Sequence, residues 1–200
     1  MSEPTPVELL QAEYAQLLLR QPATLTGDQK RSLVYYKADV SPQGVESAEV
    51  TAWLRNVTAL EVFVQREGRM PRENRRLPPG AISVEEKKLG YRVRAQRRAF
   101  AAGRLCSYQE RRLLYVPGFT YHPLEDLWWA HFEAYRLYTV VHQDAPKLRS
   151  QNKLEVGLAG WAAKARMAYR AGTLEQWKRD ALDGLDFWSW GAQGGDRYRG

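Results

Sequence analysis

The chain repeats itself, and that constrains its fold more than any other feature. Placing Trp53 over Trp128, an offset of 75, aligns Val57 with Phe132, Leu60 with Tyr135, Phe63 with Tyr138 and Pro71 with Pro146. Further on the offset is 69, and Leu89 meets Leu158, Arg97 meets Arg166, Ala99 meets Ala168, Phe100 meets Tyr169 and Gly103 meets Gly172. Leu105 and Leu174, Leu113 and Leu182, Phe119 and Trp188, and Tyr121 and Trp190 continue the series. The change of offset places six extra residues between Pro71 and Leu89, where Arg72–Gly80 reads as a Pro-containing basic loop. A weaker echo at an offset of 80 pairs Gln16, Leu25, Gln29, Arg31, Leu33 and Tyr35 with Gln96, Leu105, Gln109, Arg111, Leu113 and Tyr115. The expected organisation is an N-terminal helical segment over 1–44, readable as a degenerate partial repeat without its first helix. Modules follow over 45–122 and 123–190, with a flexible tail over 191–200.

Each module reads as three helices. In the first, Trp53, Val57, Leu60 and Val64 recur at helical spacing, Gly68 stands where a C-terminal cap belongs, and Pro71 forbids continuation. A second helix opens on Glu85 and Glu86, where the helix dipole favours acids, and carries Leu89, Val93, Gln96 and Phe100 to Gly103. A third starts at a capping-box pattern, Ser107 to Glu110, and runs to Pro117-Gly118. In the second module Trp128, Phe132 and Tyr135 open the first helix. Leu158, Ala162, Ala165 and Tyr169 face inward on the second, which Gly172 closes. Alternating patterns are nearly absent, so the fold class expected is all-α: tandem three-helix modules with an additional N-terminal helical segment.

These spacings, with an aromatic-x-aromatic pair closing each module, resemble the helicase-associated domain, a small three-helix module found in tandem in bacterial and phage proteins. Leu89, Arg97, Ala99, Phe100, Ala102, Gly103, Leu105, Phe119 and Tyr121 carry the resemblance in the first copy. In the second they are Leu158, Trp161, Arg166, Ala168, Tyr169, Ala171, Gly172, Leu174, Trp188 and Trp190. With Trp53 and Trp128 the match covers about two thirds of the chain. One departure is Arg92, which stands where the family places a tryptophan, as Trp161 does in the second copy; Tyr91 is expected to close that core instead. The resemblance implies a helical, nucleic-acid-binding module. The family is named for helicase motors, but this sequence has no G-x-x-x-x-G-K-[ST] phosphate loop.

Charge is segregated along the chain. Residues 1–50 hold 4 basic and 7 acidic side chains, residues 51–121 hold 15 and 6, and residues 122–200 hold 11 and 10. The excess of +7 therefore sits in the middle third, in a chain whose 22 arginines outnumber its 8 lysines. A GC-rich genome accounts for the preference for arginine, but not for its concentration in one segment. Arg94, Arg97 and Arg98 share a helix face, with Lys87, Lys88 and Arg92 before them and Arg104, Arg111 and Arg112 after. The Arg72, Arg75 and Arg76 loop adds three more cations. These twelve are the candidate nucleic-acid-binding residues, because clustered cations repel one another unless phosphates or counter-ions neutralise them. Base readout is expected from Arg94, Arg97 or Arg98. Arg97 and Arg166, which share a repeat position, fit a structural brace as well as a contact.

Other chemistry finds little support. A single cysteine, Cys106, cannot form an internal disulfide and suits a reducing compartment, so a cytoplasmic location is expected. The sequence has neither a secretory signal pattern near its start nor an apolar run long enough to span a bilayer, so no membrane association is expected. His131 and His142 lie about 16 Å apart along a helix, too far for one metal ion, and Asp183 and Asp186 have no nucleophile beside them. No catalytic residue, metal or cofactor is implied. The expected partner is DNA, duplex favoured, with the second module and the N-terminal segment left for packing, for a protein partner or for homo-oligomerisation. Two competitors remain. A protein–protein adaptor would expose an aromatic patch around Trp129 and Trp177, and an RNA binder would expose Tyr91 and Tyr108 beside the arginines. Trp128 and Trp129 cannot both face inward on one helix, so Trp129 either packs or stacks on a base.

Overall fold

Helix for helix, the two copies share boundaries. The computed structural model describes residues 3–43, 46–72 and 80–191. Helices α1 (Pro6–Leu18) and α2 (Gly27–Val40) precede α3 (Ala48–Glu67), α4 (Val84–Ala101) and α5 (Ser107–Leu114). Then come α6 (Pro123–His142), α7 (Lys153–Arg170) and α8 (Gln176–Asp183). Both ends of α6 lie 75 residues beyond those of α3, and both ends of α7 and α8 lie 69 beyond those of α4 and α5. Among the described residues there is no strand, and the fold is all-α. No helix is long and apolar enough to cross a membrane.

The repeat extends to individual contacts. Phe100 and Tyr121 stack with ring centroids 3.9 Å apart, as Tyr169 and Trp190 do at 4.2 Å. Phe119 meets Tyr121 edge-on at 5.0 Å, and Trp188 meets Trp190 edge-on at 5.3 Å. Gly103 and Gly172, just past α4 and α7, take φ of 63° and 67°, a left-handed turn that favours glycine. Such closed aromatic clusters are what a three-helix module of this size needs, since each buried large side chain contributes about 1.5–3 kcal/mol.

The chain divides into two compact units, 1–121 and 122–200. In the first, the N-terminal helices share one core with the module that follows. Leu10, Tyr14, Leu33 and Tyr36 pack in the same cluster as Trp53, Leu60, Leu89, Tyr108 and Leu113. Tyr108 is fully buried between Tyr14 and Tyr36, with centroids at 4.9 and 5.9 Å. The echo at offset 80 has a counterpart at two helix starts. The Thr26 N–H donates to Gln29 Oε1 (2.9 Å) before α2, as the Cys106 N–H donates to Gln109 Oε1 (3.2 Å) before α5. The second unit builds its core from Phe132, Tyr135, Leu158, Ala162, Ala165, Leu182 and Leu185, with Trp128, Trp161, Trp188 and Trp190 packed against it.

Two local expectations are corrected. The cap of α5 lies one residue earlier than the Ser107–Glu110 pattern, because Asp28 of α2 takes the Ser107 hydroxyl at 2.6 Å and leaves Gln109 to cap Cys106. Tyr91 does not close the first core: it is 60% exposed and lies beneath Arg98, whose guanidinium carbon is 5.9 Å from the ring centroid. The first unit gains its extra aromatic packing from the N-terminal helices instead.

Candidate nucleic-acid interface

Helix α4 presents the basic face, and its two acids, both in its first turn, are engaged by arginines from outside the helix. The Ser83 hydroxyl caps the helix by accepting from the Glu86 N–H (3.0 Å). Glu86 is buried and accepts from both terminal nitrogens of Arg69 (2.6 and 3.3 Å) and from the Arg72 backbone N–H (2.9 Å). The Arg69 guanidinium holds its carboxyl below the usual carboxylate range. Glu85 is engaged by Arg66 at 3.1 Å. Both glutamates thus fasten the start of α4 to the end of α3. On the inner side Leu89, Gly90 and Val93 are buried, and Trp53 Nε1 donates to Gln96 Oε1 (3.3 Å).

The outer side carries Lys87, Lys88, Tyr91, Arg92, Arg94 and Arg98. Helical geometry sorts them into two rows. Lys87, Arg94 and Arg98 line one edge, Lys88 and Arg92 the other, and Val84, Tyr91 and Ala95 form a neutral crest between them. Among the described residues none of the five cations has a hydrogen bond or ion pair. Glu85 borders the Lys88 and Arg92 edge but is engaged by Arg66 at 3.1 Å, so the face carries an excess of positive potential.

The second unit supplies an internal control. The positions of α7 that correspond to Lys87, Lys88, Tyr91, Arg92, Arg94 and Arg98 are Val156, Gly157, Gly160, Trp161, Ala163 and Met167. The scaffold is shared, but the charge is not. A basic outer face is therefore not a requirement of the three-helix fold.

The remaining candidates separate into four groups. Arg97 does not share the outer face of Arg94 and Arg98: its Nε donates to the Thr120 carbonyl at 2.7 Å, and Arg166 repeats this to the Ser189 carbonyl at 2.6 Å. Arg112 is only 6% exposed, between Asp39 and Glu61, and Arg111 is paired with Glu13 through two bonds of 2.6 Å. Folding brings carboxylates from α1, α2 and α3 onto these two arginines, so neither offers a free guanidinium to a phosphate. Arg72 and Arg104 are exposed. Arg75 and Arg76 lie outside the described residues.

Arg31 was not among the candidates. It is exposed on α2 and donates from a terminal nitrogen to the Arg104 carbonyl at 2.7 Å, which adds a cation beyond the C-terminal end of α4. The two residues are 73 positions apart, and nothing local in the sequence joins them.

The sites of the competing readings are also placed. Tyr108 is buried and donates to Asp39 Oδ2 (2.6 Å), so of the two tyrosines only Tyr91 is available beside the arginines. Trp129 is 42% exposed and stacks on Trp177 at 5.5 Å within the second unit. Among the described residues no His, Cys, Asp and Glu side chains gather as a metal site. No protein-family model, curated protein or solved structure matches the chain.

Proposed function

We propose that the chain is a non-enzymatic duplex-DNA-binding protein of the helicase-associated type, acting in a regulatory, recombination or replication-accessory role. It binds by laying α4 into the major groove. The observation that carries this reading is the five-cation outer face of α4, which lacks any counterpart on α7. A helix of this width fits the major groove of B-DNA but not the deep, narrow one of double-stranded RNA. In that pose the two cationic rows face the phosphates of the two strands, and the crest of Val84, Tyr91 and Ala95 faces the base edges. Arg104 and Arg31 extend the contact along one backbone. Affinity comes from release of condensed counter-ions, and sequence preference comes from apolar contact of the crest with thymine methyl groups and from Arg94 or Arg98 reaching guanine.

The test is a binding titration of the full chain against duplex DNA, single-stranded DNA and duplex RNA over a salt series. With five to seven phosphates neutralised, log K for duplex DNA should fall against log salt with a slope of about −4 to −6. A slope near zero, or tighter binding to duplex RNA, would refute the reading.

A further inference from the structure

The first unit holds a polar cleft that neither its core nor the outer face of α4 accounts for. The cleft has a volume of about 400 Å³, within the range of small-molecule sites, and opens between α2, α3, α4 and the start of α5. Tyr35 and Trp53, both buried and edge-on with centroids 5.2 Å apart, line it from the core side. Ala52 of α3 and Ala99 of α4 are too small to close it.

Its polar groups keep most of their hydrogen-bonding capacity. Among the described residues the Glu49 carboxylate accepts only one long hydrogen bond, from the Tyr35 hydroxyl at 3.4 Å. Gln96 Oε1 accepts from Trp53 Nε1 at 3.3 Å, which fixes the amide and leaves its two N–H donors for another partner. Among the described residues nothing engages the Asn56 amide or the Arg104 guanidinium. Arg31 holds the Arg104 carbonyl, so a second cation stands beside the cleft. The scaffold does not require this set. In the second unit Leu124, His131, Ala165 and Thr173 occupy the positions of Glu49, Asn56, Gln96 and Arg104, and Leu127 that of Ala52.

These groups select a ligand. An ionised carboxylate can only accept, so its best partner is an adjacent pair of donors. Among the common bases guanine alone offers that pair on its pairing edge, N1–H and the N2 amino group, next to an accepting O6. Adenine and cytosine carry an acceptor beside their amino group, which would face the carboxylate and repel it. Asn56 and Gln96 supply N–H donors for O6 and N7, and guanidinium groups suit a phosphate.

We propose that this cleft binds a guanine nucleotide. Glu49 reads the N1–H and N2 amino edge, Asn56 and Gln96 donate to O6 and N7, and Arg104 with Arg31 holds the phosphate. The nucleotide is either free or the unpaired end of a strand, since both bring the same groups. Glu49, Asn56 and Gln96 lie off the outer face of α4, and the proposal stands whether or not that face binds duplex DNA.

Isothermal titration calorimetry of the full chain tests it. Guanosine monophosphate should bind with a Kd of about 100 μM or tighter, and at least about tenfold more tightly than adenosine monophosphate. Guanosine, which lacks the phosphate, should bind more weakly, and Arg104→Ala should shrink that difference. Glu49→Gln should abolish the preference for guanine over adenine. Asn56→Leu should weaken guanosine monophosphate at least about tenfold, both variants retaining the helical circular-dichroism signal. Duplexes ending in an unpaired guanine or an unpaired adenine separate the two sources: a preference for the guanine end marks a strand end, and equal binding of the two marks a free nucleotide. No binding of guanosine monophosphate at about 1 mM, adenosine monophosphate bound as tightly, or a Glu49→Gln variant that keeps the preference would overturn the proposal.

Discussion

Arg112 of α5 meets Glu61 of α3 through two N–H···O bonds, at 2.6 and 3.1 Å, while its Nε donates to Asp39 of α2 at 2.9 Å. One buried guanidinium thereby ties three helices together. Asp39 also accepts the Tyr108 hydroxyl, and burial together with that carboxylate pushes the Tyr108 phenol well above its ordinary pKa. Removing the cation strands two carboxylates. Arg112→Ala is expected to cost about 3–5 kcal/mol in urea unfolding, and pairing it with Asp39→Asn and Glu61→Gln should recover part of the loss.

The brace formed by Arg97 and Arg166 gives a second prediction. Each holds a carbonyl next to an aromatic residue of the closing pair, and each lies over a ring, Phe119 at 5.7 Å and Trp188 at 4.5 Å. Arg97→Ala and Arg166→Ala should each destabilise their own unit by about 1–3 kcal/mol. Measured under conditions where the protein stays folded, Arg97→Ala should leave the salt slope of DNA binding unchanged.

The outer face of α4 should behave in the opposite way. Lys87→Ala, Arg94→Ala and Arg98→Ala should each change stability by no more than about 0.5 kcal/mol. On the proposed function, each should also reduce the salt slope by about 1, uniformly across sequences unless the side chain reaches a base. Lys164→Ala on α7 should leave binding as it was. Fluorescence anisotropy with a labelled duplex, alongside thermal melts, separates the two effects.

Acid should loosen the start of α4. Glu86 has its folded-state pKa lowered from the ordinary 4.5 by the Arg69 hydrogen bond, so the unfolded chain takes up the proton more readily than the folded one. The stabilisation is present above the ordinary value and is lost as pH falls through the lowered one. Glu86→Gln should be less stable than the wild type at pH 7 and should show a flatter decline in Tm below about pH 4.5. Parallel acid limbs in the two proteins would remove Glu86 from this role.

Much of the fold was legible because its signals are local. The stripe from Trp53 to Val64, the helix-ending Gly68 and Gly103, and the register between Trp53 and Trp128 all depend on periodicity and turn geometry within a few residues. The cap of α5 falls on Cys106, one residue before the Ser107 pattern, because Asp28, 79 positions away, takes the hydroxyl that a local rule assigns to capping. Tyr91 reads as a core residue for a similar reason: locally, its adjacency to Arg92 makes it the substitute for the missing tryptophan. The N-terminal helices supplied that packing from a distance.

By itself, then, the sequence determined an all-helical chain of two repeated modules and the stretch in which basic residues are concentrated, since helical periodicity and composition need no third dimension. Only the tertiary structure decided which of those cations remain available. Glu13, Asp39 and Glu61 reach Arg111 and Arg112 from 51 to 98 positions away, the Thr120 carbonyl claims Arg97, and Arg31 joins Arg104 from α2. The physical reason is that a charge is neutralised by its neighbours in space, and the chain brings those neighbours together only when it folds.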